Sequence, residues 1–125
     1  MRRSIILGME GSTHYEKDER PWGLYERFTL NEPSTVKIIT VNPHEAFSLQ
    51  THAHREEFWH IISGEASVTV GKDIHEAHAG DDFFIRTNTE HRLEAKDAPC
   101  VFLEIAYGEF DEHDITRLED KYGRS

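Results

Sequence analysis

The stretch Ser48 to Gly64, SLQTHAHREEFWHIISG, constrains what this chain can become more than any other part of it. Gln50, His52 and His54 alternate, and alternate residues of a strand share a face, so all three side chains are expected to point into one interior. Glu57 has the wrong parity to extend that series on a straight strand. A turn at the polar pair Arg55 and Glu56, followed by a strand from Phe58 to Ile62, would swing Glu57 back toward the histidines. Two imidazoles and a carboxylate converging in this way make a donor set for a divalent metal, with room left for small ligands. A lone His-X-His is more often structural. Here a nearby acid, a glycine closing the strand at Gly64 and another histidine in strand context downstream tip the reading toward metal.

A chain of 125 residues is expected to form one domain, burying roughly two-thirds of its unfolded surface. No apolar run approaches the roughly 20 residues of a membrane span. Arg2 and Arg3 precede only a short apolar stretch, Ser4 to Leu7, too brief for a secretory signal, so a cytoplasmic protein is the expectation. Cys100 is the only cysteine, which excludes an internal disulfide and a thiolate zinc cluster; it reads as a small buried residue. The formal net charge of −10 argues against nucleic acid and anionic membranes as partners. A phosphorylated small molecule is compatible with it, because local arginines bind phosphate inside an acidic protein.

Residues 1–18 lack sustained periodicity and read as an N-terminal arm, with residues 19–125 as the single domain. The segment Arg20-Pro21-Trp22-Gly23-Leu24-Tyr25 reads as a fixed turn leading into a strand, with Trp22 as a covered wall of the fold. Val36 to Val41 is β-branched and ends at Asn42-Pro43; Lys37 shares its face with Ile39 and Val41, and either an inward or a surface position is open to it. Short strand-like runs follow at Ala66 to Val70, Ile74 to Ala77, Phe83 to Arg86, His91 to Ala95 and Val101 to Tyr107, with turn residues between them. That spacing points to an all-β sandwich or barrel. Only Asp111 to Lys121 reads as helical, with Asp114 as its cap and Ile115 and Leu118 as a weak apolar stripe.

These motifs resemble those of the cupin superfamily. Six residues separate Glu57 from Gly64 behind the His-X-His, and His91 lies eleven positions after Gly80, as in the two cupin motifs. The resemblance implies an all-β double-stranded β-helix, a jelly-roll barrel, here with a short C-terminal helical segment. It also implies that His52, His54, Glu57 and His91 hold one divalent metal ion with coordination positions left open. The ion could be zinc, manganese, iron, cobalt or nickel. RPWG at Arg20 to Gly23, SLQ and His-X-His-Arg at Ser48 to Arg55, HRLE at His91 to Glu94 and DITRLEDKYGR at Asp114 to Arg124 are together similar to type II mannose-6-phosphate isomerases. That family includes cupin domains joined to mannose-1-phosphate guanylyltransferase; no stretch here resembles the transferase part, and that second activity is not carried over. Arg86 and Asn88 stand where the second motif usually has Pro and Gly, His44 where Gly follows Asn-Pro, and Ala95 where Asn is usual. Asn88 can keep the turn, since asparagine tolerates a left-handed backbone.

The activity so implied is a metal-dependent sugar-phosphate isomerase, converting mannose 6-phosphate to fructose 6-phosphate. It requires a base near the C1–C2 edge of the sugar, for which Glu104 on the last long strand is the candidate and Lys37 the alternative proton shuttle. Arg55, Arg92, Arg20 and Lys37 form the pool of cations for a phosphate, and Gln50 could bond a sugar hydroxyl or a metal ligand. The rival readings are another metal-dependent cupin enzyme, such as a dioxygenase, and a non-catalytic sugar-binding or metabolite-binding cupin. A homodimer is expected, with Phe58, His60 and Ile62 offering an outer contact face, while His14, His44, His75, His78 and His113 are expected at the surface.

Overall fold

Inward and outward residues alternate along the strand that follows the His-X-His motif. Glu57, Trp59 and Ile61 face the interior of the fold, while Phe58 and His60 lie on the other face. The computed structural model describes residues 14–120, 122 and 123. Among them all regular structure is strand: β1 (Glu16–Arg20), β2 (Gly23–Arg27), β3 (Ser34–Val41), β4 (Leu49–Thr51), β5 (Glu56–Ser63), β6 (Ala66–Val70), β7 (Asp73–Ala77), β8 (Asp82–Ile85), β9 (His91–Ala95), β10 (Cys100–Tyr107) and β11 (Thr116–Glu119). They form a four-stranded sheet, β3-β10-β5-β8, a five-stranded sheet, β11-β4-β9-β6-β7, and a β1-β2 hairpin. Every pairing is antiparallel, the arrangement of a jelly roll.

The main core fills the space between the two sheets, with Trp59, Ile61 and Phe102 from one meeting Val68, Leu93 and Ala95 from the other. Cys100 is fully buried there, as expected. Gly64 ends β5 where the two sheets come together. Its φ is +85°, and a Cβ at that position would lie 2.3 Å from the carbonyl oxygen of Pro99, so only glycine fits the closure. Asn88 takes φ +59° and keeps the turn before β9; His44 takes φ +61° after Asn42-Pro43.

The C-terminal segment departs from the expected helix. Thr116–Glu119 forms β11 and pairs with β4 through Thr116↔Thr51 and Arg117↔Gln50. The apolar stripe of Ile115 and Leu118 was too thin to hold a helix against the fold, whereas the β4 edge offers a ladder of backbone hydrogen bonds. Asp114 caps a turn elsewhere in the chain instead of a helix. Trp22 also departs from expectation: it sits at the tip of the β1-β2 hairpin, 74% exposed. Most of the N-terminal arm, residues 1–13, lies outside the described residues, and Glu16 to Asp18 belong to β1.

A second apolar cluster covers part of the outer face of the four-stranded sheet. Phe58, Phe84, Ile105 and Tyr107 pack there against Tyr15 and Phe28 of the same chain, with Phe28 stacked on Phe58 at 4.5 Å. Phe58 is therefore covered within its own chain; of the expected contact face Ile62 stays exposed, as do Val36 and Ile38 of β3 on the same sheet. His14 is not a plain surface residue, since its ring stacks on Tyr107 at 3.8 Å and bonds Glu32. Among the described residues no helix is long and apolar enough to cross a membrane.

Candidate metal centre

Both sheets contribute to one polar cluster inside the barrel. Gln50 on β4 pairs in register with His91, the first residue of β9, and His52 follows β4 directly. Across the interior, Glu57 lies near the start of β5, and Glu104 on β10 is opposite Trp59 in register. Ligand atoms of His52, Glu57 and His91 all lie within 4.8 Å of one another, and all three residues are buried.

Main-chain carbonyls orient both rings. His52 Nδ1–H donates to the carbonyl of Asp114 at 2.6 Å, and His91 Nδ1–H donates to that of Thr89 at 2.8 Å. Each ring therefore turns the lone pair of Nε2 toward Glu57, at 3.4 Å from Oε2 for His52 and 3.8 Å from Oε1 for His91. The Nε2 atom of His91, in a residue only 1% exposed, has no hydrogen-bond partner. A buried lone pair left in that state is costly, and a cation is the partner that suits it. The donor set of two imidazoles and one carboxylate fits a divalent metal.

The surroundings of the cluster are dense in charge and hydrogen bonds. Arg55 donates from Nε to Glu57 Oε2 at 2.8 Å, from Nη2 to His52 Nε2 at 3.2 Å and from Nη1 to the Asp111 carbonyl at 3.1 Å. Trp59 Nε1–H donates to Glu57 Oε1 at 3.1 Å. The Gln50 amide lies 3.3 Å from His52 Nε2 and accepts a bond from Ser48 Oγ at 2.7 Å. Arg55 and Lys37 both approach the ring of Phe110, at 4.5 and 4.2 Å from its centroid.

Burial, opposed by the Glu57 carboxylate, lowers the pKa of both imidazoles. Burial alone would raise Glu57, but the facing His91 and His52 rings and Arg55 reverse that and hold it below the usual carboxylate range. Glu104 goes the other way. Burial, then the neighbouring Glu57 carboxylate, push it up to about 8, against the pull of Lys37 and Arg55. The two carboxyls are neighbours, and such a pair favours one ionised and one protonated member.

Not every residue expected at the site is brought there. Strand alternation stops at Thr51, so His54 falls in the following turn, exposed, with its backbone N–H held by Asp114 Oδ2 at 2.9 Å. Gln50, not His54, is the polar side chain beside His52. Arg92 follows His91 on β9 and so faces the opposite side, where it bonds the carbonyls of Phe47 and Glu119. Arg20 is exposed on the hairpin, paired with Asp18 at 2.8 Å. Lys37 and Glu104 do face the interior. Trp59, Phe110, Thr89 and Asp114 were missed; only Trp59 carried a local signal, sharing parity with Glu57 on β5.

The family model described as mannose-6-phosphate isomerase C-terminal matches residues 8–120. The xanthan biosynthesis protein XanB of Xanthomonas campestris pv. campestris is 37% identical over 120 residues, covering 94% of this chain and 26% of that protein. A mannose-1-phosphate guanylyltransferase of Escherichia coli is 36% identical over 107 residues, covering 84% of this chain and 22% of that protein. The chain thus spans about a quarter of the length of the curated relatives it matches. Among solved structures, a cupin protein from Bacteroides fragilis superposes with a TM-score of 0.57 at 24% identity, covering 68% of this chain and 76% of that one. A cupin-2 domain from Rhodospirillum rubrum gives 0.59 at 22% identity, covering 65% and 59%. These two likenesses establish the cupin fold.

Proposed function

The chain belongs to the mannose-6-phosphate isomerase C-terminal family, and from that premise we propose that it is a metal-dependent aldose–ketose isomerase interconverting mannose 6-phosphate and fructose 6-phosphate. The observation that carries this reading is the unpartnered, inward-facing Nε2 of buried His91, aimed at Glu57 beside His52. His52, Glu57 and His91 would hold the metal, with the Gln50 amide as a neighbouring donor; zinc, manganese, iron, cobalt and nickel all suit that set. Once bound, the ion would supply Lewis acidity, polarising the sugar carbonyl and stabilising the oxyanion that develops on it.

The chain's own groups would move the proton. Glu104, with a pKa of about 8 and a place beside the metal-binding carboxylate, can exchange a proton near neutral pH, which is what a general base for this chemistry needs. As carboxylate it would take the proton from C2 of the aldose. The C–H electron pair then forms the C1–C2 double bond while the carbonyl pair moves to O1. Return of the proton to C1, with transfer of the O2 proton to O1, yields the ketose. Lys37, the cross-strand partner of Glu104, supports the ionised form by its charge. Arg55 and Lys37, both against Phe110, would receive the phosphate, while Arg92 and Arg20 point elsewhere. Glu57, tied to Trp59, is held as a ligand and is not the base.

A homodimer formed through the exposed part of the four-stranded sheet, around Ile38, Val36 and Ile62, is consistent with the apolar character of that face. The test of the activity is direct. Purified protein is stripped with chelator, reloaded with each of the five metals and assayed for both directions of the interconversion. Metal uptake without turnover in any of the five removes the isomerase reading.

A further inference from the structure

Two of the atoms that would ligate a metal already serve another cation. The Arg55 guanidinium bonds Glu57 Oε2 through Nε and His52 Nε2 through Nη2, at 2.8 and 3.2 Å, in a residue only 8% exposed. His52 has no second lone pair to offer, because its Nδ1 carries the proton donated to Asp114. An imidazole nitrogen has a single in-plane lone pair, so Nε2 of His52 cannot serve an N–H donor and a metal ion together. Glu57 Oε1 is also engaged, by Trp59. Arg55 and a divalent ion therefore compete for the lone pair of His52 and crowd each other at Oε2 of Glu57.

We infer that Arg55 is an internal counter-cation which metal binding displaces, and that the displaced guanidinium becomes the receptor for the anionic end of a substrate. This rests on the metal-centre reading above and adds to it an order of events. The outer half of Arg55 already has its own anchors, the Asp111 carbonyl and the face of Phe110, and these do not depend on Glu57. Lys37 meets the same ring at 4.2 Å. With a metal on His52 Nε2, Arg55 loses that acceptor, and two cations, Arg55 and Lys37, lie against one aromatic ring. A dianion such as a phosphate ester matches that pair, and the planar fork of arginine takes it with two bonds. Metal and anion would then strengthen each other's binding by the same factor.

Zinc affinity, measured by competition with a chromophoric chelator, tests this on the whole chain and on two variants. Arg55→Lys keeps the charge but loses the fork, so a gain there isolates competition for the lone pairs from simple repulsion. The expected result is zinc binding several-fold tighter in Arg55→Lys and about tenfold or more in Arg55→Gln. The second measurement uses the unaltered protein and needs no variant to fold: the 15N-detected Nε–H resonance of Arg55. One equivalent of zinc should shift it away from its carboxylate-bonded position. Zinc bound with that resonance unmoved, or equal affinity in all three proteins, overturns the inference and leaves the metal centre standing. Zinc bound by none of them overturns both. Displacement of Arg55 by zinc in a protein without isomerase turnover supports the inference and removes only the proposed reaction.

Discussion

The indole N–H of Trp59 donates to Oε1 of Glu57 at 3.1 Å, from two residues further along the same strand and on the same face. Trp59 is also edge-on to the His91 ring, with centroids 5.6 Å apart. One side chain thus fixes the carboxylate and walls one of the imidazoles. Trp59→Phe keeps most of the volume and deletes the donor. It should cost about 1–3 kcal/mol in urea unfolding and weaken zinc binding by about 10- to 100-fold in chelator competition.

The three histidines of the two motifs should separate cleanly. His91→Ala and His52→Ala each remove an inward lone pair and should leave the purified protein without stoichiometric metal in elemental analysis. His54→Ala should retain it, because the His54 side chain is exposed and its backbone, not its ring, makes the bond to Asp114. Loss of metal in His54→Ala would return the ligand set to the one the motif alone implies.

Glu104 gives the metal-stripped protein a pH signature. Its folded pKa of about 8 lies above its ordinary value of 4.5, so between these values the folded state keeps a proton that the unfolded state has released. Stability should therefore fall as pH rises through that window, by up to about 1.4 kcal/mol per unit, and level off above it. Glu104→Gln cannot ionise and should flatten the profile, with urea midpoints at pH 5, 6.5 and 8 drawing together. In the metal-loaded protein the same change should lower isomerase kcat by about 100-fold or more, the usual scale for losing a general base.

Gly64→Ala should be severely destabilising. The new methyl would sit 2.3 Å from the Pro99 carbonyl, a main-chain atom that cannot rotate away, and the residue would be left at φ +85°. A loss of about 2–4 kcal/mol in urea unfolding is expected, from strain and overpacking together.

The parts of this molecule that sequence made legible are those governed by period and spacing. A turn after the His-X-His start does bring Glu57 to His52, though it lies at Ala53 and His54 and Glu56 already opens β5; Asn88 kept its turn where glycine is usual, at φ +59°. What was missed depends on where alternation stops and on chain from far away. Nothing local says that β4 ends at Thr51, one residue before His52, so His54 looked as inward as its neighbour. Arg92 could have been excluded by parity alone, since it directly follows His91. Phe110, Asp111 and Asp114 lie more than fifty residues beyond His52 and Arg55, the residues they meet. Asp111 to Lys121 read as a helix because its competitor, the open edge of β4, is not visible in its own residues.

Both imidazoles are aimed by carbonyl oxygens that any amino acid possesses, those of Thr89 and Asp114. The aim of the rings is accordingly encoded in the route the loops take, not in the letters that spell them. Most exchanges at Thr89 would leave that oxygen in place. Shortening the Gly108–Asp114 crossing by a single residue would drag one ring off target with every ligand still present in the sequence.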